Sequence, residues 1–498
     1  MAMRLQIGVL TVALALAAST ANAQDFREQY EQFKQQAQQT YSDFRAEANT
    51  KYCEYLKLAW ESYKQMPVQK KPKEKPVPPV VLPENDKTPV VDIRPILLDS
   101  VLTPSPIRIV QPKPIAPIKD VPTVAPYSHH FSFYGTLMSA RLPQQRDTKL
   151  TLLNSSCSKE NVAEAWASLS THAYDNTLRD CLALRSSYRL GDYAYLLMLR
   201  SLSENYFGRA SNASVMLTAW LFCQSGYKMR LGKANDRLVL LYASNQVIYD
   251  VPYYYVDGIE CYVLVKKGEK FSGQITACNV SFPGEQPLSL EMSESMALTD
   301  EESEIRTVKS RRYPNISIDV SVNKNLIAFE NDYLSSYKDG NFMTRWAMLA
   351  NTPLQESTAQ EIAEQMKPLL SGKTQLEQVE MLLNWVQTGF VYEYDDKVWG
   401  EDRAFFAEET LYYPYCDCED RAILFSRLVR NLVGLKCALV YYPGHLAAAV
   451  HFNKEVKGDY LLVNGEKFTI ADPTYINAPV GLSMPKMVDK SATAILLQ

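Results

Sequence analysis

The sequence predicts a mixed α+β fold, because its C-terminal third reads as a helix followed by antiparallel strands. Residues 419–433 place most of their apolar side chains on one side of a helix, and Gly434 is suited to end it. Residues 435–442 and 445–452 have the composition of two strands joined by a turn at Gly444. A helix packed on an antiparallel sheet is therefore expected in this part of the chain.

Two more strands are predicted around residues 460–463 and 466–470, on either side of an Asn-Gly hairpin turn. Asp472 stands at the end of the last strand. Pro473 prevents a simple continuation of that strand, because proline has no backbone N–H group to donate to a neighbour. The predicted sheet therefore ends in a carboxylate.

The residues at the edges of these elements form a candidate catalytic set. Cys418 stands at the start of the helix, where the helix dipole favours a thiolate, although Glu419 and Asp420 add negative charge that acts against it. His445 opens the second strand and Asp472 ends the last one. A thiolate nucleophile needs a base, and the base needs a third group that fixes its tautomer. These residues supply the three groups in that chain order.

The same residues resemble the transglutaminase-like superfamily, a papain-like group with Cys, His and Asp in this order. In that family a Cys-x-Asp helix start, a His that opens a strand and an Asp-Pro pair recur. The matching segments here are Cys418-Glu419-Asp420, Gly444-His445-Leu446 and Asp472-Pro473-Thr474. Residues 383–394 also resemble the approach to such a core, so the resemblance covers about residues 345–498.

The resemblance implies a papain-like transglutaminase core, with a Cys-bearing helix packed on an antiparallel sheet. It implies that Cys418 is the nucleophile, His445 the general base and Asp472 the residue that orients the base. One departure from the family pattern is Ala447, since many members have an aromatic residue two places after the histidine.

Two other residues compete for these roles. Cys416 is a second thiol near the helix start, and it could instead form a disulfide or, less plausibly, part of a metal clip. One residue between two cysteines is not a usual zinc spacing, so we expect no metal and no cofactor. His451 lies on the same predicted strand as His445, but His445 stands at the strand edge beside a turn, which is the better place for a site.

The first residues of the chain predict export. Residues 1–23 have the features of a signal peptide: a basic start at Arg4, an apolar run from Ile7 to Ala17, and an Ala-Asn-Ala cleavage site. The apolar run is too short for a membrane-spanning helix, and no later segment is predicted to span. We therefore expect a periplasmic or secreted protein. The formal net charge of −4 predicts no nucleic-acid binding.

Residues 24–65 predict one long helix in which aromatic residues recur every eleven positions. Eleven residues in three turns keep an aromatic stripe in line along the helix. The stripe comprises Phe26, Phe33, Tyr41, Phe44, Tyr52, Tyr55 and Tyr63. We expect it to be buried, because soluble proteins rarely expose such a strip. Self-association or docking on a partner is favoured, and packing on the catalytic body of the same chain is the alternative.

The middle of the chain divides into three predicted parts before the catalytic domain, residues 346–498. Residues 66–126 hold fifteen of the 27 prolines and predict an extended linker. Residues 127–260 predict a second folded region, and residues 261–345 a β-rich connector.

The second folded region has the marks of a degenerate transglutaminase-like copy. A shift of 208 residues without gaps lays it over the catalytic core. Ala210 then falls on Cys418 and Arg237 on His445, so the copy would lack both nucleophile and base. Chance, or a helix–strand–strand pattern that the two regions share without common origin, explains the match about as well.

The chemistry implied by this set is acyl transfer from an amide carbonyl through a cysteine thioester. We expect an exported cysteine enzyme that acts on peptide or isopeptide bonds of a protein or peptide substrate, as a peptidase or amidase. One alternative is a protein cross-linking acyltransferase, in which a primary amine replaces water. The other is a non-enzymatic envelope scaffold, which a buried or blocked Cys418 would favour.

Overall fold

A computed structural model describes residues 22–84, 94–104 and 127–498 of the chain, apart from some side chains of the first helix. The fold is mixed α+β with several sheets, as predicted. The predicted signal peptide, residues 1–23, lies almost wholly outside the described residues. Within the described ranges, none of the helices combines the length and the apolar character needed to cross a bilayer.

The helices form the first class of elements. In chain order they are α1 (Asn22–Leu58), α2 (Thr148–Leu152), α3 (Lys159–Leu169), α4 (Asp175–Ser187), α5 (Asp192–Phe207), α6 (Asn212–Gln224), α7 (Lys324–Asn331), α8 (Thr344–Asn351), α9 (Glu356–Leu370), α10 (Gln375–Gly389), α11 (Asp395–Val398), α12 (Ala407–Tyr412) and α13 (Cys418–Leu432).

The strands form two large sheets and several short pairs. In chain order they are β1 (Trp60–Tyr63), β2 (Leu98–Leu102), β3 (Tyr127–Phe133), β4 (Thr136–Leu142), β5 (Met229–Ala234), β6 (Arg237–Ala243), β7 (Val247–Ile248), β8 (Tyr253–Val256), β9 (Ile259–Val263), β10 (Ile275–Cys278), β11 (Arg306–Lys309), β12 (Ser317–Val320), β13 (Ser336–Tyr337), β14 (Val391–Tyr392), β15 (Tyr415–Cys416), β16 (Cys437–Tyr442), β17 (His445–Val450), β18 (Tyr460–Val463), β19 (Glu466–Ala471) and β20 (Ala492–Leu496).

The C-terminal sheet carries the candidate catalytic residues. Its strand order is β2-β20-β16-β17-β19-β18, antiparallel throughout except for the parallel pair β2–β20. Helix α13 packs across β16 and β17. Leu446, Ala448 and Val450 belong to the apolar core that contains α13, while Ala447 and Ala449 belong to the core on the other side of the sheet. This alternation follows from the two-residue period of a strand.

The N-terminal sheet repeats this layout. Its strand order is β1-β10-β5-β6-β9-β8, and α6 packs on β5 and β6 as α13 packs on β16 and β17. Each strand of one sheet thus has a counterpart at the same place in the other. The two central hairpins, which begin at Met229 and Cys437, are displaced by 208 residues. The two sheets differ in the direction of one edge strand: β1 is antiparallel to β10, whereas β2 is parallel to β20.

The prediction of one helix over residues 24–65 is wrong at its C-terminal end. Helix α1 ends at Leu58, and the chain then pairs as β1 with β10. The pairing satisfies backbone groups of Trp60–Tyr63 with a strand more than two hundred residues away, which local periodicity cannot indicate. Within the chain itself, the aromatic stripe is buried only in part. Tyr52 is buried against Trp166, whereas Phe33 is 70 % exposed.

The prediction of an extended linker over residues 66–126 is incomplete, because the parts that the structure describes contain a strand and pack on the folded modules. Residues 94–104 contain β2, which joins the edge of the C-terminal sheet. Residues 64–84 are extended, as their proline content predicts, but they lie against both folded modules rather than in solvent. Apolar residues between the prolines cause this, because they pack on the sheet.

The predicted boundary at residue 260 is also wrong. Strands β9 and β10, with β9 crossing the boundary at Ile259–Val263, complete the N-terminal sheet, so this module extends beyond residue 260 and includes β1 from before residue 66. The predicted connector 261–345 therefore contains part of a module. Its remainder includes the β11–β12 hairpin, helix α7 and the short strand β13. All nine cysteines lie within the described ranges and are unpaired.

Candidate active site

Helix α13 places Cys418 at its first residue. Asp417 caps the helix, because its side chain accepts a hydrogen bond from the Glu419 amide at 3.2 Å. The Asp420 side chain accepts from the Asp417 amide at 3.0 Å, which completes a capping box. Asp420 also accepts from the Phe405 amide at 2.9 Å. The helix start is thus held by two carboxylates on either side of the thiol.

The Cys418 thiol is buried, with 3 % of the residue exposed. It donates a hydrogen bond to the Glu419 carboxylate at 3.2 Å. Burial, and then the charges of Glu419 and Asp417, raise the pKa of the Cys418 thiol well above its ordinary value. The Leu446 backbone amide donates to the sulfur and acts in the opposite direction. The thiol is therefore protonated in this arrangement at neutral pH.

His445 and Asp472 are in direct contact. His445 Nε2 lies 2.8 Å from Asp472 Oδ2, and the two residues are 2 % and 3 % exposed. The other carboxylate oxygen of Asp472 accepts from the backbone amides of Thr474 and Tyr475 at 2.9 and 3.3 Å. Asp472 is therefore fixed by its own turn and can orient the imidazole.

The second nitrogen of His445 is available for a further contact. Nδ1 is buried and has no hydrogen-bond partner among the described residues. The next residue, Leu446, supplies the amide that contacts the Cys418 sulfur, so the start of β17 lies against the thiol. The hydrogen bonds of the described residues include none between Cys418 and His445, since the thiol is turned to Glu419.

The competing residues lie elsewhere. Cys416 is buried in β15, and its sulfur faces the Val391 carbonyl at 3.8 Å. His451 Nδ1 is 2.9 Å from the Lys467 carbonyl oxygen, beyond the end of β17. Neither Cys416 nor His451 contacts Asp472 in these interactions. Of the two histidines, His445 is the one that binds Asp472.

Two positioning residues were missed by the sequence analysis. Gln387 of α10 donates to the Asp472 carbonyl at 3.0 Å and to the Tyr475 carbonyl at 2.8 Å. Arg421 of α13 is 1 % exposed and donates to the Phe390 carbonyl at 2.8 Å. These contacts join α10, α13 and the Asp472 turn. Both helices contain several other polar residues, so nothing in the local sequence distinguishes Gln387 and Arg421, and the carbonyls that they contact come from distant segments.

Tyr392 adds an unused hydroxyl near the thiol. Its Oη atom is buried and has no hydrogen-bond partner within the described residues. Burial, followed by the nearby acidic groups Cys418, Asp417 and Glu419, raises the pKa of the Tyr392 hydroxyl, so the hydroxyl is protonated at neutral pH and can donate. Its ring lies 5.3 Å from the Arg421 guanidinium, which holds it in place.

A group of carboxylates beside the thiol could hold a divalent cation. Asp395, Asp402 and Glu419 each offer an oxygen within 4.8 Å of the others, and Asp395, Asp417 and Asp420 form a second such set. Burial, followed by the charge of Glu419, raises the pKa of Asp395 to about 8. Asp402 is already paired with a guanidinium of Arg345 at 2.6 Å, so part of the charge is compensated within the chain.

No protein-family model matches this chain, and no curated protein matches it at a significant level.

Proposed function

We propose that the protein is an exported transglutaminase-like cysteine enzyme with a papain-like catalytic core. It cleaves peptide or isopeptide amide bonds through a thioester on Cys418, as a peptidase or amidase. The observation that carries this proposal is the buried 2.8 Å contact between His445 Nε2 and Asp472, which leaves Nδ1 of the same ring without a partner. An oriented imidazole with one open nitrogen is what activation of a thiol requires.

The proposed reaction begins when the Cys418 proton passes to His445 Nδ1. The thiolate then attacks the substrate carbonyl carbon and a C–S bond forms. The Tyr392 hydroxyl, which has no other partner, is the candidate donor to the oxyanion. The C–N bond breaks as the imidazolium returns its proton to the leaving amine. Water, deprotonated by His445, cleaves the thioester and releases the acid and the free thiol.

The test is hydrolysis of a fluorogenic peptide amide, with mass spectrometry of the trapped thioester. Cys418→Ala is expected to abolish both signals, because the nucleophile is lost. Cys416→Ala is the matched control two residues away, and His451→Ala is the control for the base. Both controls should retain most of the activity. Hydrolysis by Cys418→Ala at the wild-type rate would show that Cys418 is not the nucleophile.

Cross-linking is distinguished by the second substrate. If the acyl group passes to a primary amine, added amine increases product formation and appears in the product mass. If the enzyme is a hydrolase, water competes successfully and the product is the acid. The same fluorogenic assay with and without added amine separates the two reactions.

The burial of the triad favours a second candidate function. Cys418, His445 and Asp472 are all at most 3 % exposed, and the thiol is turned to Glu419. A non-enzymatic envelope scaffold that uses transglutaminase-like modules for binding would have this arrangement. Such a protein would form no thioester and would not hydrolyse the peptide amide, even in variants in which Cys418 is made accessible to substrate.

We also infer that the N-terminal module is a degenerate copy of the catalytic module. The matching order of six strands and the helix on the same strands support this. Ala210 lies just before α6, and Arg237 begins β6 as His445 begins β17. The copy would lack thiol and imidazole at these places. Substitution of Arg237 by alanine is therefore expected to leave the peptidase activity unchanged.

A further inference from the structure

A proline-rich segment, residues 71–82, crosses the loops around the triad. We name it the strap. At its start, Lys71 Nζ donates to the Asp402 carbonyl oxygen and lies 3.7 Å from the Glu401 carboxylate. Asp402 belongs to the carboxylate group that includes Glu419, the hydrogen-bond partner of Cys418. The strap thus begins beside the carboxylate group that contacts the nucleophile.

The middle of the strap lies on the turn before the base. The Glu74 carboxylate accepts from the Gly444 amide at 3.1 Å and from the Tyr441 hydroxyl. The Val77 amide donates to the Gly444 carbonyl at 2.9 Å. A methyl group added at Gly444 would lie 2.3 Å from the Lys75 carbonyl oxygen, so the two backbones are in close contact. Gly444 directly precedes His445.

The end of the strap pairs with the turn after the orienting carboxylate. The Ile476 amide donates to the Val80 carbonyl at 2.9 Å, and the Leu82 amide donates to the Ile476 carbonyl at 3.0 Å. The Asn477 side chain donates to the Leu82 carbonyl at 2.9 Å. Ile476 follows Asp472 by four residues. The strap therefore touches the surroundings of all three triad residues in turn.

The contacts of the strap are those of a bound extended peptide. Backbone N–H and C=O groups of the strap pair with Gly444 and Ile476, as in addition of a strand to an edge. Val77, Val80 and Leu82 pack on the apolar core that lies on the face of the sheet opposite α13 and includes Tyr442, whose ring stacks on His445. The prolines at 76, 78 and 79 keep the chain extended, and they lack an N–H group that would otherwise need a partner. The receiving surface recognises extended backbone with small apolar side chains.

We propose that the strap occupies the groove in which an extended, apolar peptide substrate binds, and that Cys418 reacts with such a substrate only after the strap has left. This inference rests on the proposed function, since it names the substrate class of the same site. A groove occupied by its own chain reduces the apparent reactivity by the fraction of molecules in which the strap is bound. The burial of Cys418, His445 and Asp472 is then a property of the closed state.

The experiment measures alkylation of Cys418 in the full chain by a Val-Pro-Val peptide chloromethyl ketone, with the labelled cysteine identified by mass spectrometry. The strap variant is Glu74→Ala with Val77→Asp, which removes the side-chain contact to the Gly444 amide and places a charge on the apolar core. Lys73→Ala is the control, because Lys73 is exposed in the same segment. We expect labelling at least about ten-fold faster in the strap variant than in wild type or control.

A second pair of variants tests whether faster labelling results from displacement of the strap or from a disturbed fold. Gly444 and Gly465 both have positive φ, at +79° and +83°, but an added methyl group meets the strap only at Gly444. Gly444→Ala and Gly465→Ala thus carry similar backbone strain, and only the first displaces the strap. Labelling should be faster in Gly444→Ala than in Gly465→Ala. A synthetic peptide of residues 71–82 should slow the labelling of the strap variant again.

The outcomes separate this inference from the proposed function. Equal labelling rates in wild type, the strap variant and both glycine variants overturn the inference, whatever the amidase assay gives. Faster labelling of the strap variant without amide turnover supports the inference about the strap and contradicts the proposed peptidase activity. Slower labelling of the strap variant on addition of the 71–82 peptide supports occupation of the groove. If the peptide does not slow the labelling of that variant, occupation of the groove is contradicted.

Discussion

Glu419 accepts a hydrogen bond from the thiol of the residue before it, Cys418, at 3.2 Å. The contact sets a negative charge directly against the candidate nucleophile. The helix dipole and the Leu446 amide favour the thiolate, but burial and the charges of Glu419 and Asp417 outweigh them and raise the pKa of Cys418. The electrostatics of the site therefore control the reactivity of the thiol.

Substitution of Glu419 by glutamine is expected to increase the reactivity of Cys418 at neutral pH. The substitution removes a negative charge, so the pKa of the thiol falls and the thiolate fraction at pH 7 rises. In wild type the labelling rate should increase with pH through the alkaline range. In Glu419→Gln the same increase should occur at lower pH. The measurement is the alkylation rate of Cys418 from pH 6 to 10, with the exposed Glu455→Gln as control. Superimposable profiles for all three proteins would contradict this account.

Substitution of Asp472 by asparagine is expected to lower turnover on the order of 10²- to 10⁴-fold. Asparagine keeps an oxygen for the Thr474 and Tyr475 amides, so the turn should survive. Its amide group cannot accept the Nε2 proton of His445, so the ring loses the tautomer that leaves Nδ1 free to accept a proton. The measurement is kcat on the peptide amide together with the thermal unfolding temperature. Wild-type turnover in this variant would place the orienting group elsewhere.

Substitution of Glu408 by glutamine is expected to stabilise the protein at alkaline pH. Burial raises the pKa of Glu408 from its ordinary value of 4.5 to about 7. The folded protein therefore favours the protonated form, and the stability associated with it is lost as the pH rises through about 7. Glutamine cannot ionise, and it can still accept from the Gln355 amide. We expect a gain of about 3 kcal/mol in the free energy of unfolding at pH 8 and of less than about 1 kcal/mol at pH 5.

The check for Glu408 is denaturant unfolding of wild type and variant at the two pH values. Glu455→Gln again serves as control, because that carboxylate is exposed. An equal effect of Glu408→Gln at pH 5 and pH 8 would show that ionisation is not the cause. A loss of stability at both would mean that the hydrogen bond to Gln355 requires a carboxyl group.

The aromatic stripe of α1 predicts self-association through the part that stays exposed. Phe33, Phe44 and Tyr55 are 70, 46 and 45 % exposed and recur every eleven residues. Tyr52 and Leu56 are buried in the chain's own core, so deletion of the helix would also expose that core. Substitution of Phe33, Phe44 and Tyr55 by serine removes these exposed aromatic side chains and leaves the buried residues Tyr52 and Leu56 unchanged. The triple variant should sediment as a smaller species than wild type, and identical sedimentation would exclude this face as an interface between copies.

Local sequence determined the central elements of the C-terminal module. The helix predicted over residues 419–433 is α13, Cys418–Leu432, and the turn at Gly444 separates β16 from β17. The strand pair around the Asn-Gly turn is β18 and β19. These elements are governed by side-chain periodicity and by residues that adopt turn conformations, and both properties are readable over a few residues. The shift of 208 residues likewise aligned the central hairpins of the two sheets.

Tertiary structure alone decided the edges of the sheets and the state of the site. Strands β1 and β2 come from segments with little strand character of their own, and they pair because β10 and β20 present unpaired edges. The contacts of the strap with Gly444 and Ile476 join residues more than 300 positions apart. The sequence by itself determined which residues carry thiol, imidazole and carboxylate. The burial of these groups and the partner of the thiol depend on distant segments that pack over them, and no local pattern encodes that packing.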